Sequence, residues 1–193
     1  MNEVLDIFDI IKSGNFFVLD CEATGIDNGS EIVSIAVIAA DGRPLLNTLV
    51  HPTRAIPKEA TAIHGITNAM VRGALPFPSE LLQELVTGRN VIVYNAGYDV
   101  TMLYRSVEAA NMPCVEWNKI ATWHCAMETF AEVYGEWNSY RQNYKWQKLA
   151  TACSYYKIEV VDAHTALSDC MMTLEVCKAM AAKQPIEKAH LEW

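Results

Sequence analysis

The chain has 193 residues, about half of them hydrophobic and a fifth charged, with a formal charge of −8. This composition is typical of a folded globular protein and excludes an intrinsically disordered chain. A chain of this length is most simply one domain, which we place over residues 1–183, with a C-terminal tail over residues 184–193. No apolar run approaches the roughly 20 residues that span a bilayer, and no secretion signal is evident, so we expect a cytoplasmic protein without a membrane partner.

The negative charge excludes a protein that coats DNA, because such a protein carries a basic stripe along its surface. It does not exclude nucleic acid that is bound through divalent cations held by acidic side chains. The six cysteines are scattered, without a Cys-x-x-Cys pair. We therefore expect most of them to be buried thiols rather than zinc ligands or disulfides.

Three apolar runs predict strands that pair as an antiparallel meander. The predicted strands cover residues 15–20, 31–38 and about 45–50. The pair Asp41-Gly42 turns the second strand into the third. Pro57 ends the strand pattern, after which Thr67 is a predicted helix N-cap and residues 79–87 form a predicted helix.

The second half of the chain alternates strands with helices. Residues 91–94 form a continuous apolar run, which is typical of a central strand covered on both faces. The remaining predictions are a strand over residues 115–120, an exposed loop over 135–144, and helices over about 100–111, 122–134, 145–155 and 165–183. Strands first and strand–helix alternation afterwards predict an α/β sandwich with a mixed five-stranded central sheet.

Asp20 and Glu22 end the first predicted strand, where side chains two residues apart share a face. Two carboxylates this close repel, which raises the pKa of one unless positive charge lies between them. Hard oxygen ligands of this kind suit Mg²⁺ or Mn²⁺. An acidic pair at a strand end is also common as a solvated cap, so the pair indicates a metal site only if further acidic side chains join it.

Two further acidic positions are predicted at the same edge of the sheet. Asp99 follows the predicted central strand, where ligands collect in open α/β sheets, although it is also an ordinary acid for a first helical turn. Asp169 lies near the start of the last predicted helix, and His164 precedes it by five residues. Both can face one site only if His164 lies in the preceding loop, with Thr165 as the N-cap. A solvated or structurally bonded histidine is the alternative for His164.

Together and in this order, the acidic segments resemble the DEDD-type 3′→5′ exonucleases, which have a ribonuclease H-like fold. The matching segments are Asp20-Cys21-Glu22-Ala23-Thr24-Gly25, Asn95-Ala96-Gly97-Tyr98-Asp99 and His164-Thr165-Ala166-Leu167-Ser168-Asp169. His164 stands five residues before the last aspartate, as in the histidine branch of this family. The segment Ala62-Ile63-His64-Gly65-Ile66-Thr67 resembles the proofreading exonucleases of DNA polymerase III and exonuclease X. Tyr94 and Tyr98 stand where the family usually has His and Phe.

This resemblance implies a three-layer α/β/α sandwich and an exonuclease that releases nucleoside 5′-monophosphates from the 3′ ends of single strands. It implies two Mg²⁺ or Mn²⁺ ions held by Asp20, Glu22, Asp99 and Asp169, with His164 as the general base. The terminal nucleotide would be bound by six residues, namely Ala23, Thr24, Gly25, His64, Asn95 and Tyr98.

Several alternatives stay open at this stage. The fourth segment favours DNA, but RNA is an alternative substrate because discrimination at the 2′-hydroxyl depends on one or two contacts. An inactive module that binds nucleic-acid ends is a second alternative, which the retained acids and histidine disfavour. The sequence does not determine the oligomeric state, and a homodimer is among the alternatives. One aromatic and basic group is either a stacking platform for single strands or packing in the core or at its rim: Trp137, Tyr140, Arg141, Tyr144, Lys145 and Trp146.

Overall fold

The computed structural model describes residues 6–160 and 164–183. The strands of its main sheet are β1 (Phe17–Ala23), β2 (Ile32–Ala39), β3 (Pro44–Leu49), β4 (Asn90–Val93) and β5 (Thr122–Cys125), and a hairpin is formed by β6 (Trp137–Asn138) and β7 (Asn143–Tyr144). The helices are α1 (Ile7–Ser13), α2 (Lys58–His64), α3 (Asn68–Val71), α4 (Ser79–Val86), α5 (Ala96–Ala109), α6 (Trp117–Ile120), α7 (Ala126–Tyr134), α8 (Leu149–Tyr156) and α9 (Ala166–Lys183).

The main sheet has the strand order β3-β2-β1-β4-β5. β1 pairs antiparallel with β2, and β2 antiparallel with β3, which confirms the predicted meander. β4 runs parallel to both β1 and β5 and is an interior strand. The predicted mixed five-stranded sheet is therefore confirmed, with β1 at its centre.

Alternation along β1 divides the core into two layers, one on each face of the sheet. Val18 packs in a cluster with side chains of α1, α7, α8 and α9, including Phe130 and Leu174. Leu19 packs on the opposite face with side chains of α4, α5 and α6, including Leu103 and Trp117. The result is the three-layer α/β/α sandwich of the ribonuclease H-like fold. Asp20 and Glu22 follow Val18 at two-residue spacing and so face the α9 side.

Four sequence predictions need correction. Residues 115–120 hold the short helix α6 rather than a strand, because Val115 and Trp117 are buried by packing against the helical layer. The fifth strand is β5, so the predicted helix over 122–134 begins only at Ala126. Residues 62–67, where the sequence predicts the start of a helix, instead end helix α2 at His64 and turn through Gly65 before α3 begins at Asn68. The predicted loop over residues 135–144 contains the β6–β7 hairpin.

Two other expectations are confirmed. All six cysteines are free, and four of them are buried: Cys21, Cys153, Cys170 and Cys177. Thr67 caps α3 by accepting a hydrogen bond from the N–H of Met70. Within the described residues no helix combines the length and apolar character that a membrane span requires.

Candidate active site

The carboxylates predicted from the sequence meet at the carboxyl end of β1. Asp20, Glu22 and Asp169 each place one carboxylate oxygen within 4.8 Å of the others, and all three are partly buried. β1 supplies the first two and the first turn of α9 supplies the third. Because α9 packs on the face toward which Asp20 and Glu22 point, the helix start is held directly beside them.

Crowding and burial make these carboxyl groups hard to ionise. The pKa of Asp20 is raised well above its usual range, first by burial and then by Asp99, Asp169 and Glu22. Burial, together with Asp169 and Asp99, raises the pKa of Glu22 to about 8. A divalent cation among these oxygens would replace the protons and remove the repulsion. The donor set, all carboxylate oxygen, is the kind that Mg²⁺ and Mn²⁺ prefer.

Asp99 joins the site from helix α5, which packs on the opposite face of the sheet. β4 pairs with β1 at only two positions, and the second of them is Val18↔Ile92. The carboxyl end of β1 therefore extends beyond its last β4 partner. The first turn of α5 lies beside this extension, where Asp99 Oδ1 accepts a hydrogen bond of 3.0 Å from the backbone N–H of Cys21.

Asp99 is the most deeply buried of the four predicted ligands, with 3% of its surface exposed. Burial raises its pKa to about 7, while hydrogen bonds from Cys21 lower it. Its charge in turn raises the pKa of Asp20, so the two carboxylates are close enough to interact. The structure therefore gathers three of the predicted carboxylates in one cluster and places the fourth beside it, bonded to the backbone between Asp20 and Glu22.

His164 lies immediately before α9, as the five-residue spacing requires. Its backbone is left-handed, with φ +68°, and its N–H donates a hydrogen bond of 3.2 Å to Asp169 Oδ1. Burial raises the pKa of Asp169 above its usual value, and this bond opposes part of that rise. Thr165 caps the helix by accepting a hydrogen bond from the N–H of Ser168. The ring of His164 is exposed, which leaves it accessible to solvent and substrate.

His64 lies beside the same site and is buried, with 7% of its surface exposed. It is the last residue of α2, where Gly65 ends the helix with φ +73°. This turn brings the N–H of Ile66 to within 3.0 Å of His64 Nδ1, so the neutral ring carries its proton on Nε2. Nε2 makes no hydrogen bond of good geometry among the described residues. Burial lowers the pKa of His64, while a hydrogen bond to the Ala23 carbonyl raises it and the charge of His164 lowers it.

The other predicted substrate residues lie around the end of β1 and the start of α5. Ala23 and Thr24 are buried, and the Tyr98 hydroxyl donates a hydrogen bond of 3.0 Å to the carbonyl of Gly25. Asn95 is exposed, and its carbonyl accepts hydrogen bonds from the first turn of α5. The side chain of Asn95 makes no capping bond, so the cap of this helix is provided by its backbone alone.

The aromatic and basic group predicted near residues 137–146 lies outside the core. Trp137 is 50% exposed, Trp146 60% and Tyr140 94%. Trp137 packs edge-on against Tyr144 across the hairpin, with ring centroids 5.1 Å apart. The alternative that these side chains pack in the core is therefore wrong. Packing at the rim and a stacking platform both agree with their exposure.

Two side chains that make long-range hydrogen bonds around the loop after β1 were not found from the sequence. Glu31 is buried and accepts hydrogen bonds from the N–H and hydroxyl of Thr53 and from the N–H of Arg54. Arg105 bonds the loop that comes after β1. Their partners lie more than 20 positions away along the chain, and no local pattern signals such contacts.

The mixed sheet and the carboxylate cluster suit a nuclease that cleaves phosphodiester bonds with divalent cations. The sequence profile of the RNase_T family, described as exonucleases, matches residues 17–177. The chain belongs to this divalent-metal-dependent exonuclease family, and it is accordingly a nuclease that acts on nucleic acid.

Known proteins agree with this assignment. The chain is 38% identical over 170 residues to the uncharacterized exonuclease CP81 of Escherichia phage 186, covering 84% of this chain and 86% of that protein. It is 37% identical over 95 residues to the DNA polymerase III subunit epsilon of Aquifex aeolicus, covering 46% of each chain.

Solved structures show the same fold. Exonuclease X in complex with 5′ overhanging duplex DNA has a TM-score of 0.64 and 22% identity, covering 87% of this chain and 92% of that one. A structure of exonuclease I has a TM-score of 0.71 and 16% identity, covering 89% of this chain and 42% of that one.

Proposed function

We propose that the protein is a 3′→5′ exonuclease that removes nucleoside 5′-monophosphates from single-stranded ends, with DNA as the favoured substrate. The observation that carries the proposal is the cluster of Asp20, Glu22 and Asp169, whose oxygens lie within 4.8 Å of one another beside the exposed His164. DNA is favoured because the structures of similar fold include exonuclease X with duplex DNA and exonuclease I with a dA16 oligonucleotide.

Asp20, Glu22 and Asp169 would hold two Mg²⁺ or Mn²⁺ ions, with Asp99 completing the set. When bound, such ions polarise the phosphate and stabilise the attacking and leaving oxygens. The burial of these carboxyl groups limits their motion, so the chain presents a preorganised set of oxygen ligands rather than flexible surface acids. Divalent cations bound to them would supply the positive charge that a phosphate needs.

His164 would act as the general base that takes a proton from the attacking water. Histidine is the side chain that most often serves as a general base in enzymes. Its backbone bond to Asp169 fixes the position of His164 relative to one of the carboxylates of the cluster. The ring is exposed, so the proton can pass to solvent after each turnover.

The terminal nucleotide would be bound beside this cluster by residues 23–25, His64, Asn95 and Tyr98. His64 offers a buried Nε2–H donor that makes no hydrogen bond of good geometry among the described residues, although the Ala23 carbonyl acts on the ring, and such a donor suits an oxygen acceptor on the substrate. Tyr98 would act through the Gly25 carbonyl that it already bonds.

Digestion of 5′-labelled DNA and RNA oligomers of the same sequence, with and without Mg²⁺ or Mn²⁺, tests this proposal. We expect a ladder that shortens from the 3′ end, mononucleotide products, no activity with chelator, and faster digestion of DNA. Internal fragments would point to an endonuclease, faster digestion of RNA to an exoribonuclease, and binding of ends without products to an inactive module. Each of these three outcomes contradicts the corresponding part of the proposal.

A further inference from the structure

The loop between β1 and β2, residues 24–31, is closed at its base and braced from within. The N–H of Thr24 donates to the carbonyl of Glu31 at 2.9 Å, and the N–H of Glu31 donates to Thr24 Oγ1 at 3.1 Å. Inside the loop, Asp27 Oδ1 accepts hydrogen bonds from the N–H of Gly29 and the hydroxyl of Ser30. These bonds give the loop a defined shape directly after the strand that carries the first two carboxylates of the cluster.

Helix α5 holds the outer side of this loop through Arg105. Its guanidinium donates hydrogen bonds to the carbonyls of Ile26 and Asp27, at 3.4 and 2.5 Å, and to Asn28 Oδ1 at 3.0 Å. The planar fork of an arginine is suited to several acceptors at once. One side chain thus bonds three consecutive loop residues. Tyr98, seven residues earlier on the same helix face, bonds the carbonyl that precedes them, that of residue 25.

Arg105 is committed to the loop rather than to an acidic partner. The ion pairs among the described residues are Lys119–Glu116, Lys145–Glu136 and Lys178–Glu175, so Arg105 takes part in none of them. Hydrogen bonds from a charged donor are stronger than those between neutral groups. The same helix supplies Asp99 to the carboxylate site, so one rigid element positions both a carboxylate and the loop.

We infer that Arg105 is a positioning residue for substrate binding: by bonding residues 26–28 it fixes the preceding segment Ala23-Thr24-Gly25 against helix α5, whose Tyr98 bonds the Gly25 carbonyl. This inference rests on the proposed function, in which that segment contacts the terminal nucleotide. Arg105 itself contacts neither the carboxylate cluster nor His164 in any hydrogen bond of the described residues. Its loss therefore frees the loop without moving the carboxylates that α9 and β1 hold.

Arg54 provides a matched control for the charge of Arg105. Both arginines line one small cavity of about 260 Å³ beside the loop. The guanidinium of Arg54 lies against Gly29, where an added Cβ would come within 2.5 Å of Nη1. Unlike Arg105, the Arg54 guanidinium donates no hydrogen bond within the described part of the chain. Arg54→Ala thus removes the same charge from the same cavity and leaves the loop carbonyls bonded.

Steady-state kinetics of Arg105→Ala, Arg105→Lys and Arg54→Ala on a 5′-labelled single-stranded DNA oligomer with Mg²⁺ test the inference. For Arg105→Ala we expect KM to rise about tenfold while kcat changes by less than about twofold, as expected when positioning bonds are lost outside the reacting groups. Arg105→Lys should recover part of the loss, and Arg54→Ala should resemble the wild type. A fall in kcat at unchanged KM overturns the inference. An equal rise in KM for both alanine variants also overturns it, because the cavity would then attract substrate through charge alone.

Hydrogen exchange of the peptide that covers residues 24–31 separates this inference from the proposed function. We expect faster exchange in Arg105→Ala than in the wild type and unchanged exchange in Arg54→Ala. If the wild-type protein releases no nucleotides, the proposed function fails, while the exchange experiment still reports on the loop. Unchanged exchange in Arg105→Ala overturns the inference even if the enzyme is active.

Discussion

Carboxylates are buried in two regions of this molecule, and they are stabilised in different ways. Glu31 accepts three hydrogen bonds from residues 53 and 54, so N–H and O–H donors surround its oxygens. Asp20, Glu22 and Asp169 instead face one another, with oxygens within 4.8 Å. At Glu31, hydrogen-bond donors from the chain itself satisfy the carboxylate. At the cluster, no lysine or arginine of the described residues forms an ion pair with the carboxylates. The comparison teaches that burial alone does not mark a functional acid; burial beside other acids does.

Removing one carboxylate from the cluster should have the largest effect on activity. Asp20→Asn or Asp169→Asn should lower the rate of nucleotide release by roughly 10³-fold or more, because the cations lose a ligand. Glu31→Gln is the matched control, and its activity per folded molecule should stay within about twofold of the wild type. The measurement is release of nucleotides from a labelled oligomer at saturating Mg²⁺. Near-full activity in either cluster variant would refute the metal site.

His164→Ala should rank second, since it removes a proton acceptor and leaves the carboxylates in place. We expect kcat to fall by about 10²- to 10⁴-fold, with binding of the oligomer largely retained. The bond from residue 164 to Asp169 comes from the backbone, so alanine preserves it. Single-turnover rates and binding in Ca²⁺ measure the two effects separately. Equal loss of binding and rate would show instead that His164 holds the substrate.

In the metal-free protein, removing one carboxylate charge should change the free energy of unfolding in opposite directions in the two regions. Glu31→Gln should lower the free energy of unfolding by about 1–3 kcal/mol, because charged hydrogen bonds are lost. Glu22→Gln should raise it at pH 8, because one repelling charge disappears from the cluster. Urea unfolding in the presence of chelator measures both values. A destabilised Glu22→Gln would mean that the cluster is not electrostatically strained.

The last expected effect is a fall of stability with rising pH in the metal-free protein. The pKa of Glu22 rises from 4.5 to about 8 on folding, and that of Asp99 from 3.8 to about 7. Between these values the folded protein binds more protons than the unfolded one, so stability falls as pH rises from about 4.5 to about 8. Urea midpoints at several pH values should show this fall, and Glu22→Gln should reduce it. A wild-type stability that rises through this window would contradict the assignment.

The sequence predicted the site better than the elements around it. Asp20, Glu22 and Asp169 could be placed together because strand ends and helix starts of an α/β sheet meet at one edge. The left-handed backbone of His164 and the tautomer of His64 could not be predicted, because each depends on one hydrogen bond fixed only by folding. The hydrogen bond from the N–H of Cys21 to Asp99 could not be predicted either, because it depends on where β4 ends beside β1.

Errors in the secondary structure have a common cause. Residues 115–120 begin with an apolar–polar alternation that is typical of a strand, but Trp117 packs edge-on against Phe77 in the helical layer, which favours a helical turn there. β5 has only four residues, three of them partly buried, so its period is too short to recognise. The supporting contacts of Arg105 and Glu31 join distant segments and leave no local signature.

Calorimetric titration with Mn²⁺ at pH 7, in two buffers of different ionisation enthalpy, tests the central claim most directly. That claim is that divalent cations take the place of protons on the carboxylate cluster. We predict that binding releases protons, because the pKa of Glu22 is about 8 and that of Asp99 about 7 without metal. We also predict that Asp20→Asn weakens binding. Binding without proton release, or equal binding by Asp20→Asn, would contradict the account.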